Sequence, residues 1–178
     1  MNGYMKKVAM VVLLVFALIC GMLSGNSDLW AQQKTSALAQ QIQGSWILVS
    51  IYNVEQDGKR VDIYGANPRG SMILTPDDRF SIILMRASLP KFASNSRMKG
   101  TVQENQAIVQ GSSALFGSYS VASEADKTVN LRVEGSTFPN WDGEVQKRVM
   151  TVVGDEMRVT IPTAMVGGTS YVIWKRAK

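Results

Sequence analysis

Histidine is absent from this sequence of 178 residues, and cysteine occurs once, at Cys20. Imidazole and thiolate side chains are the usual ligands of zinc and the usual bases and nucleophiles of hydrolases. Because neither is available after residue 20, we expect no metal site, no cysteine nucleophile and no Ser-His-Asp triad. A single cysteine also excludes an internal disulfide, so stability must come from packing of the core.

Signatures of nucleotide and nucleic-acid binding are also lacking. The segment Val166-Gly167-Gly168-Thr169 lacks the glycine spacing and the lysine of a phosphate-binding loop, and it precedes a strand rather than a helix. Lys and Arg outnumber Asp and Glu by 19 to 14, but these charges are scattered along the chain. Scattered charge is typical of a solvated surface, so we expect no nucleic-acid partner and no bound cofactor.

The longest hydrophobic run lies near the N-terminus. Lys6 and Lys7 precede an apolar segment from Val8 to Leu23, and a polar stretch then leads to Ala31. This order is typical of a secretory signal peptide, and a run of about 16 residues is shorter than the roughly 20 of a spanning helix. We therefore expect a signal peptide at 1–31 and a periplasmic or secreted protein. An uncleaved N-terminal membrane anchor and a lipid on Cys20 are the alternatives.

The remaining chain predicts a linker at 32–42, with a short helix from Ala37 to Gln41, and one domain at 43–178. Beyond Gly44, short runs of β-branched and aromatic residues alternate with turn residues, as in Thr75-Pro76-Asp77-Asp78-Arg79. A further short strand is expected near 59–63. The main strands are expected at 45–54, 70–75, 80–86, 116–122, 128–135, 145–153, 156–161 and 170–175.

Residues 101–111 depart from this β pattern. Thr101 followed three residues later by Glu104 is a capping box, and Gly111 closes the far end. A short helix is therefore expected between strands three and four. About eight closely spaced strands with hairpin turns and one helical excursion predict an all-β, antiparallel, up-and-down barrel.

Six groups of residues follow one another along this domain: Gly44-Ser45-Trp46-Ile47-Leu48-Val49-Ser50; Gly70 with Thr75-Pro76-Asp77; Phe92-Ala93-Ser94; Gly117-Ser118-Tyr119; Val133-Glu134 with Phe138-Pro139-Asn140-Trp141 and Gly143; and Val166-Gly167-Gly168 with Trp174-Lys175-Arg176. This ordered set resembles the bacterial lipocalin-like domain family over residues 43–177. The resemblance implies a small antiparallel barrel and assigns no chemistry to it. It also implies that Gly44, Trp46 and Arg176 are structural, with the arginine covering the tryptophan.

The chain departs from the family pattern just before Val133 and Glu134. Many relatives have histidines there, whereas this sequence has Asn130, Leu131 and Arg132. A family function that required an imidazole is therefore not expected here.

Arg132 and Glu134 form the best polar constellation, because residues two apart on a strand share a face. If that face points inward, Glu134 is a buried carboxylate that could bind a ligand or act as a general base with Arg132 or Arg148. If it points outward, Val129, Leu131 and Val133 fill the core and the charged residues form a solvated ion pair. The apolar alternation favours the outward orientation.

Other candidate ligand contacts have weaker signals. Trp141 lies in an aromatic loop at 138–143 and either covers a cavity mouth or plugs the barrel end. Tyrosine hydroxyls and flexible methionines suit a small-molecule pocket. The candidates of this kind are Tyr52, Tyr64, Tyr119, Tyr171 and Met85.

These observations favour an exported protein that binds a small, largely apolar molecule, with residues 90–100 and 138–143 at the entrance. One alternative is an isomerase, cyclase or lyase that uses Glu134 with Arg132 or Arg148. Another is a structural envelope domain without a ligand. The barrel interior distinguishes these functions, because eight strands enclose either a filled core or space for one small ligand.

Overall fold

The computed structural model describes residues 36–164 and 167–178, and the signal peptide expected at 1–31 lies outside them. The packed unit begins at Ser36, seven residues before the expected start of the domain. The helices are α1 (Ala37–Ile42) and α2 (Val102–Gly111), with single 3₁₀ turns at Arg97–Lys99 and Pro139–Trp141. The strands are β1 (Gly44–Val54), β2 (Arg60–Val61), β3 (Arg69–Leu74), β4 (Arg79–Met85), β5 (Ser112–Ser123), β6 (Thr128–Ser136), β7 (Val145–Val153), β8 (Glu156–Ile161) and β9 (Thr169–Arg176).

Eight of these strands form a closed antiparallel barrel. Strand β1 pairs with β3, each later strand pairs with the next, and β9 returns to pair with β1 from Trp46↔Arg176 to Val54↔Thr169. The short strand β2 pairs only with the end of β1. Helix α2 joins β4 to β5, the third and fourth strands of the barrel, and its Thr101–Glu104 capping box is formed. The barrel predicted from the sequence is confirmed.

Strand β6 shows why this sequence forms a barrel with an apolar interior. Side chains of a strand alternate between the two faces of a sheet. Val129, Leu131 and Val133 are at most 1% exposed, whereas Arg132 and the following outward residue Glu134 are exposed. The same alternation on the other strands gives one continuous apolar core inside the barrel.

Helix α1 closes one end of the barrel. Its inner face buries Leu38, Ala39 and Ile42. The indole Nε1 of Trp46 donates to the carbonyl of Ile42 at 2.8 Å. The guanidinium of Arg176 lies 4.1 Å from the centroid of the Trp46 ring and donates to the carbonyls of Gln41 and Gln43, each at 2.9 Å. The expected stacking of Arg176 on Trp46 is therefore present.

Gly44 is required at this closed end for a steric reason. Its φ is +119°, a conformation that residues with a Cβ rarely adopt. A Cβ at this position would also lie 2.9 Å from Nη1 of Arg176. The glycine two residues before Trp46 therefore lets the arginine reach across the start of β1.

Glu124, in the turn between β5 and β6, caps the start of α1. Its carboxylate accepts hydrogen bonds from the Ser36 hydroxyl and from the backbone N–H of Leu38, the latter at 3.2 Å. The Ser36 hydroxyl and then the Leu38 N–H lower the pKa of this carboxyl below its ordinary value. The helix is thus held to the barrel at its first turn as well as at its end.

The opposite end of the barrel is formed by the long connections, which follow β2, β4, β6 and β8. Alternate connections of an up-and-down barrel emerge at the same end, so these four segments lie together, away from α1. None of the helices within residues 36–164 and 167–178 is long and apolar enough to cross a membrane.

Candidate ligand-binding cavity

The barrel contains a cavity of about 680 Å³ that opens among the loops opposite α1. This volume falls within the range of small-molecule sites, roughly 300–1,000 Å³. The barrel interior is therefore not filled by its own side chains. Most of the wall is apolar and comes from strands on every side: Ile51, Met72, Ile82, Leu84, Leu115, Leu131, Met150, Val159, Ile161, Val172 and Trp174.

Phe138 and Trp141 border the cavity mouth. Their rings contact edge to face, with centroids 5.4 Å apart and planes at 77°. Both residues line the cavity, Phe138 is 39% exposed, and Trp141 is half-buried. The two alternatives for this loop were a cover over the mouth and a plug inside the barrel. Its position at the rim of an open cavity favours the cover.

A buried polar pair holds the loop between β8 and β9 at the other side of the mouth. Asn53 is 1% exposed, and its Nδ2 donates to the carbonyl of Gly167 at 2.7 Å. The Ser170 hydroxyl donates to Oδ1 of Asn53 at 3.1 Å. This loop contributes residues 162–164 to the cavity lining, so the pair fixes part of the entrance.

Arg148 places a positive charge in the cavity wall. Gln146, Arg148 and Met150 alternate along the inward face of β7, and all three line the cavity. The guanidinium donates from Nη2 to Oε1 of Gln146 at 2.6 Å and from Nη1 to the carbonyl of Lys147 at 3.0 Å. Burial lowers the pKa of Arg148 to about 10, so the group is still protonated at neutral pH.

Tyr64 and Ser113 add two neutral hydroxyls to the wall. The Ser113 Oγ is buried and has no hydrogen-bond partner among the described residues. Burial raises the pKa of the Tyr64 hydroxyl, against smaller opposing effects of the Ser113 hydroxyl and the charge of Arg86. Tyr64 therefore stays protonated and can donate a hydrogen bond inside the cavity.

The sequence did not single out Ser113 or Gln146. The predicted fourth strand began at residue 116, whereas β5 begins at Ser112. Ser113 lies two residues before the inward residue Leu115, so it shares the inward face of the strand. A predicted strand that began at Ser112 would therefore have identified this serine. Gln146 alternates with Arg148 and could have been found by the same pattern.

Of the nine candidate ligand contacts named from the sequence, Tyr64, Trp141 and Arg148 line this cavity. Tyr52 does not, because it lies on the outer face of β1. There its ring stacks on Tyr171, with centroids 5.3 Å apart, and the Arg60 guanidinium lies 3.9 Å from its centroid. Tyr52 is therefore part of an outer aromatic cluster.

Tyr119 and Met85 are also outside the cavity lining. Tyr119 points inward but at the closed end, where its hydroxyl donates to the carbonyl of Thr75 at 2.9 Å and accepts from Nε2 of Gln43 at 3.3 Å. Met85 follows the inward residue Leu84 on β4 and is therefore on the outer side.

Arg132 and Glu134 lie on the outer face, in the orientation that the apolar alternation favoured, but they do not pair with each other. Glu134 instead accepts two hydrogen bonds from Arg79, with Nη2 2.6 Å from Oε2. This guanidinium lowers the pKa of Glu134, whereas an internal general base needs a raised value. Arg148 faces the interior, so the barrel wall separates it from Glu134.

Across residues 36–164 and 167–178, no three acidic, histidine or cysteine side chains are grouped closely enough to hold a metal ion. The lining offers apolar surface together with two cations, one carboxylate, two amides and four hydroxyls, which belong to Lys147 and Arg148, to Glu144, to Asn140 and Gln146, and to Tyr64, Ser113, Thr163 and Ser170.

Comparison with known proteins agrees with this architecture. The sequence model of the lipocalin-like domain family matches residues 43–177. The chain belongs to the lipocalin-like domain family. This lipocalin-like protein is 26% identical over 102 residues to the 4'-hydroxy-3'-methoxypropiophenone carrier protein ppsC of Aspergillus oryzae, a match that covers 52% of this chain and 92% of that protein.

Among solved structures, this lipocalin-like protein has a remote similarity to a mutant of the fluorescent protein UnaG. The two are 12% identical, with a TM-score of 0.36, over 78% of this chain and 97% of the other.

Proposed function

We propose that this lipocalin-like protein binds and carries a small, largely apolar molecule in its barrel. The observation that carries the proposal is the open cavity of about 680 Å³ with a mainly apolar wall. Empty apolar space of this size is costly for a core, because its lining loses the packing contacts that fill other protein interiors. A ligand that fills the cavity restores those contacts.

The composition of the wall supports an apolar ligand. Transfer of apolar surface from water into such a wall is worth about 25 cal/mol per Å². Met72 and Met150 are buried beside the cavity, and unbranched methionine side chains adjust to ligands of different shape. The relative ppsC is named as a carrier of an aromatic ketone, which supports a carrier role for the related barrel.

We further propose that the carrier works outside the cytoplasm. The support is the charged and then apolar N-terminal segment from Lys6 to Leu23, which is typical of an export signal. Intact mass measurement of the protein isolated from its host tests this directly. We expect a chain that begins after Ala31, and a full-length mass would contradict export by cleavage.

Occupation of the cavity can be tested with a neutral fluorophore and a matched pair of variants. Leu84 lines the cavity, whereas its neighbour Ile83 on β4 is 45% exposed. Leu84→Trp adds bulk inside the barrel, and Ile83→Trp adds the same bulk outside it. We expect Nile red to gain fluorescence with the wild-type protein and with Ile83→Trp, and to bind Leu84→Trp about tenfold more weakly or worse, a loss of about 1.4 kcal/mol.

Native mass spectrometry of protein purified gently from its host is the companion measurement. We expect a small molecule that is released on denaturation. If wild-type protein neither enhances Nile red fluorescence nor carries a releasable molecule, the binding function is wrong. If both tryptophan variants weaken the binding of Nile red equally, the dye binds outside the cavity.

A further inference from the structure

Arg148 carries a charge that the protein itself does not neutralise. Three ion pairs occur among the described residues, and all three involve other arginines: Arg60 with Asp62, Arg79 with Glu134, and Arg158 with Glu156. Glu144 also lines the cavity, but it is exposed at the mouth and forms no ion pair with Arg148. An unpaired charge beside an apolar wall is unfavourable unless something compensates it.

The hydrogen bonds of Arg148 leave most of its donors available. A guanidinium has five N–H groups. Two of them bond to neutral oxygens, the amide of Gln146 and the carbonyl of Lys147. Within the described chain, the other three make no hydrogen bond. Gln146 fixes the position of the guanidinium without supplying a negative charge.

We propose that the ligand is an amphipathic acid whose carboxylate binds Arg148 inside the cavity while its apolar part fills the barrel. This inference rests on the proposed binding function and names the chemical class of the ligand. A carboxylate matches the planar fork of arginine donors and neutralises its charge. Tyr64 and Ser113 are neutral, so they suit a hydroxyl or carbonyl elsewhere on the molecule rather than the acid.

The test compares acids with alcohols of the same skeleton. The probes are decanoate with decanol and phenylbutyrate with phenylbutanol, each titrated calorimetrically into the wild-type protein at neutral pH. Charged hydrogen bonds contribute roughly 1.5–3 kcal/mol each, which corresponds to about 10- to 100-fold in affinity. We expect each acid to bind at least about tenfold more tightly than its alcohol.

Variants at Arg148 assign this preference to one side chain. Arg148→Met keeps much of the volume but removes the charge, so we expect equal affinities for acid and alcohol. Arg148→Lys keeps the charge without the fork and should keep part of the preference. Arg132→Met is the matched control, because Arg132 lies on the outer face. It should retain the full preference.

Thermal unfolding without ligand gives a second readout. Arg148 is half-buried and has no ion-pair partner, so an apolar side chain of similar size removes the desolvation cost of its charge. We expect Arg148→Met to melt at or above the wild-type temperature and to lose the stabilisation by decanoate. If Arg148→Met fails to fold, the charge has a structural partner and the inference is wrong.

The outcomes separate this inference from the binding function. If wild-type protein binds acids and alcohols equally, or if Arg148→Met keeps the acid preference, the ligand class is wrong and the binding function stands. Binding of Nile red without binding of either acid has the same meaning. Failure of all probes, Nile red included, contradicts both proposals.

Discussion

Replacement of Arg176 by methionine tests how the closed end of the barrel is held. The arginine stacks on Trp46 and donates to the carbonyls of Gln41 and Gln43. A cation over an indole contributes about 0.5–2 kcal/mol, and each hydrogen bond to a neutral carbonyl about 0.5–1.5 kcal/mol. Arg176→Met should therefore lower the free energy of unfolding by about 1.5–5 kcal/mol.

A loss of this size is measurable by thermal unfolding. A domain of this length loses about 3 °C in Tm per kcal/mol, so the expected decrease is roughly 5–15 °C. Arg176→Lys should recover little of it, because an ammonium group lacks the planar fork that reaches two carbonyls and the indole together. Lys175→Met is the control, since Lys175 is exposed on the same strand.

A double-mutant cycle with Trp46→Phe isolates the contact between the two side chains. We expect a coupling energy of about 0.5–2 kcal/mol, the range for the cation over the ring. The reasoning is refuted if Arg176→Met melts within about 2 °C of Lys175→Met. About 3 °C corresponds to 1 kcal/mol, so such a difference would be smaller than the least expected loss. In that case α1 is held by its apolar face alone.

Two further predictions concern the same end of the barrel. Glu124 has a lowered pKa in the folded state, so its contribution to stability is present above the ordinary value of 4.5 and is lost as the pH falls through the folded value. Glu124→Gln should therefore lower the Tm at neutral pH, and the difference from wild type should disappear under acid conditions; a difference that persists there would contradict this role. Gly44→Ala should destabilise the protein by about 1–3 kcal/mol, because the backbone of residue 44 has a positive φ and the added Cβ would crowd the Arg176 guanidinium. Ser45→Ala is the control and should have little effect on the free energy of unfolding. Urea unfolding of both variants measures the difference.

The sequence predicted the barrel well because its signals are local. Alternation of apolar and polar residues marks strands such as β6, and Thr75-Pro76-Asp77-Asp78-Arg79 marks a hairpin turn whichever strands it joins. The capping box of Thr101 and Glu104 likewise marks the start of α2. Closure then follows, because a meander of eight twisted strands removes its exposed edges by pairing the last with the first.

The site was harder to predict, because it depends on where along each strand a residue lies as well as on its face. Tyr119 and Arg148 both point inward, yet Tyr119 lies beside α1 and Arg148 lines the cavity. Tyr52 follows the irregular register in β1 between Leu48 and Ser50, which reverses the alternation beyond it. No residue type marks a bulge, and none marks how far along the barrel axis a side chain lies. The pairing of Glu134 with Arg79, which are 55 positions apart, also has none.

The two ends of this barrel differ in a way that matters for how its cavity can change. The contacts among α1, Trp46 and Arg176 lie at one end, and the loops that border the cavity mouth lie at the other. Substitutions, insertions or grafted segments in those loops act far from the contacts that close the barrel. The shape and lining of the cavity mouth can therefore change, by natural divergence or by engineering, without rebuilding the end of the barrel that α1 closes.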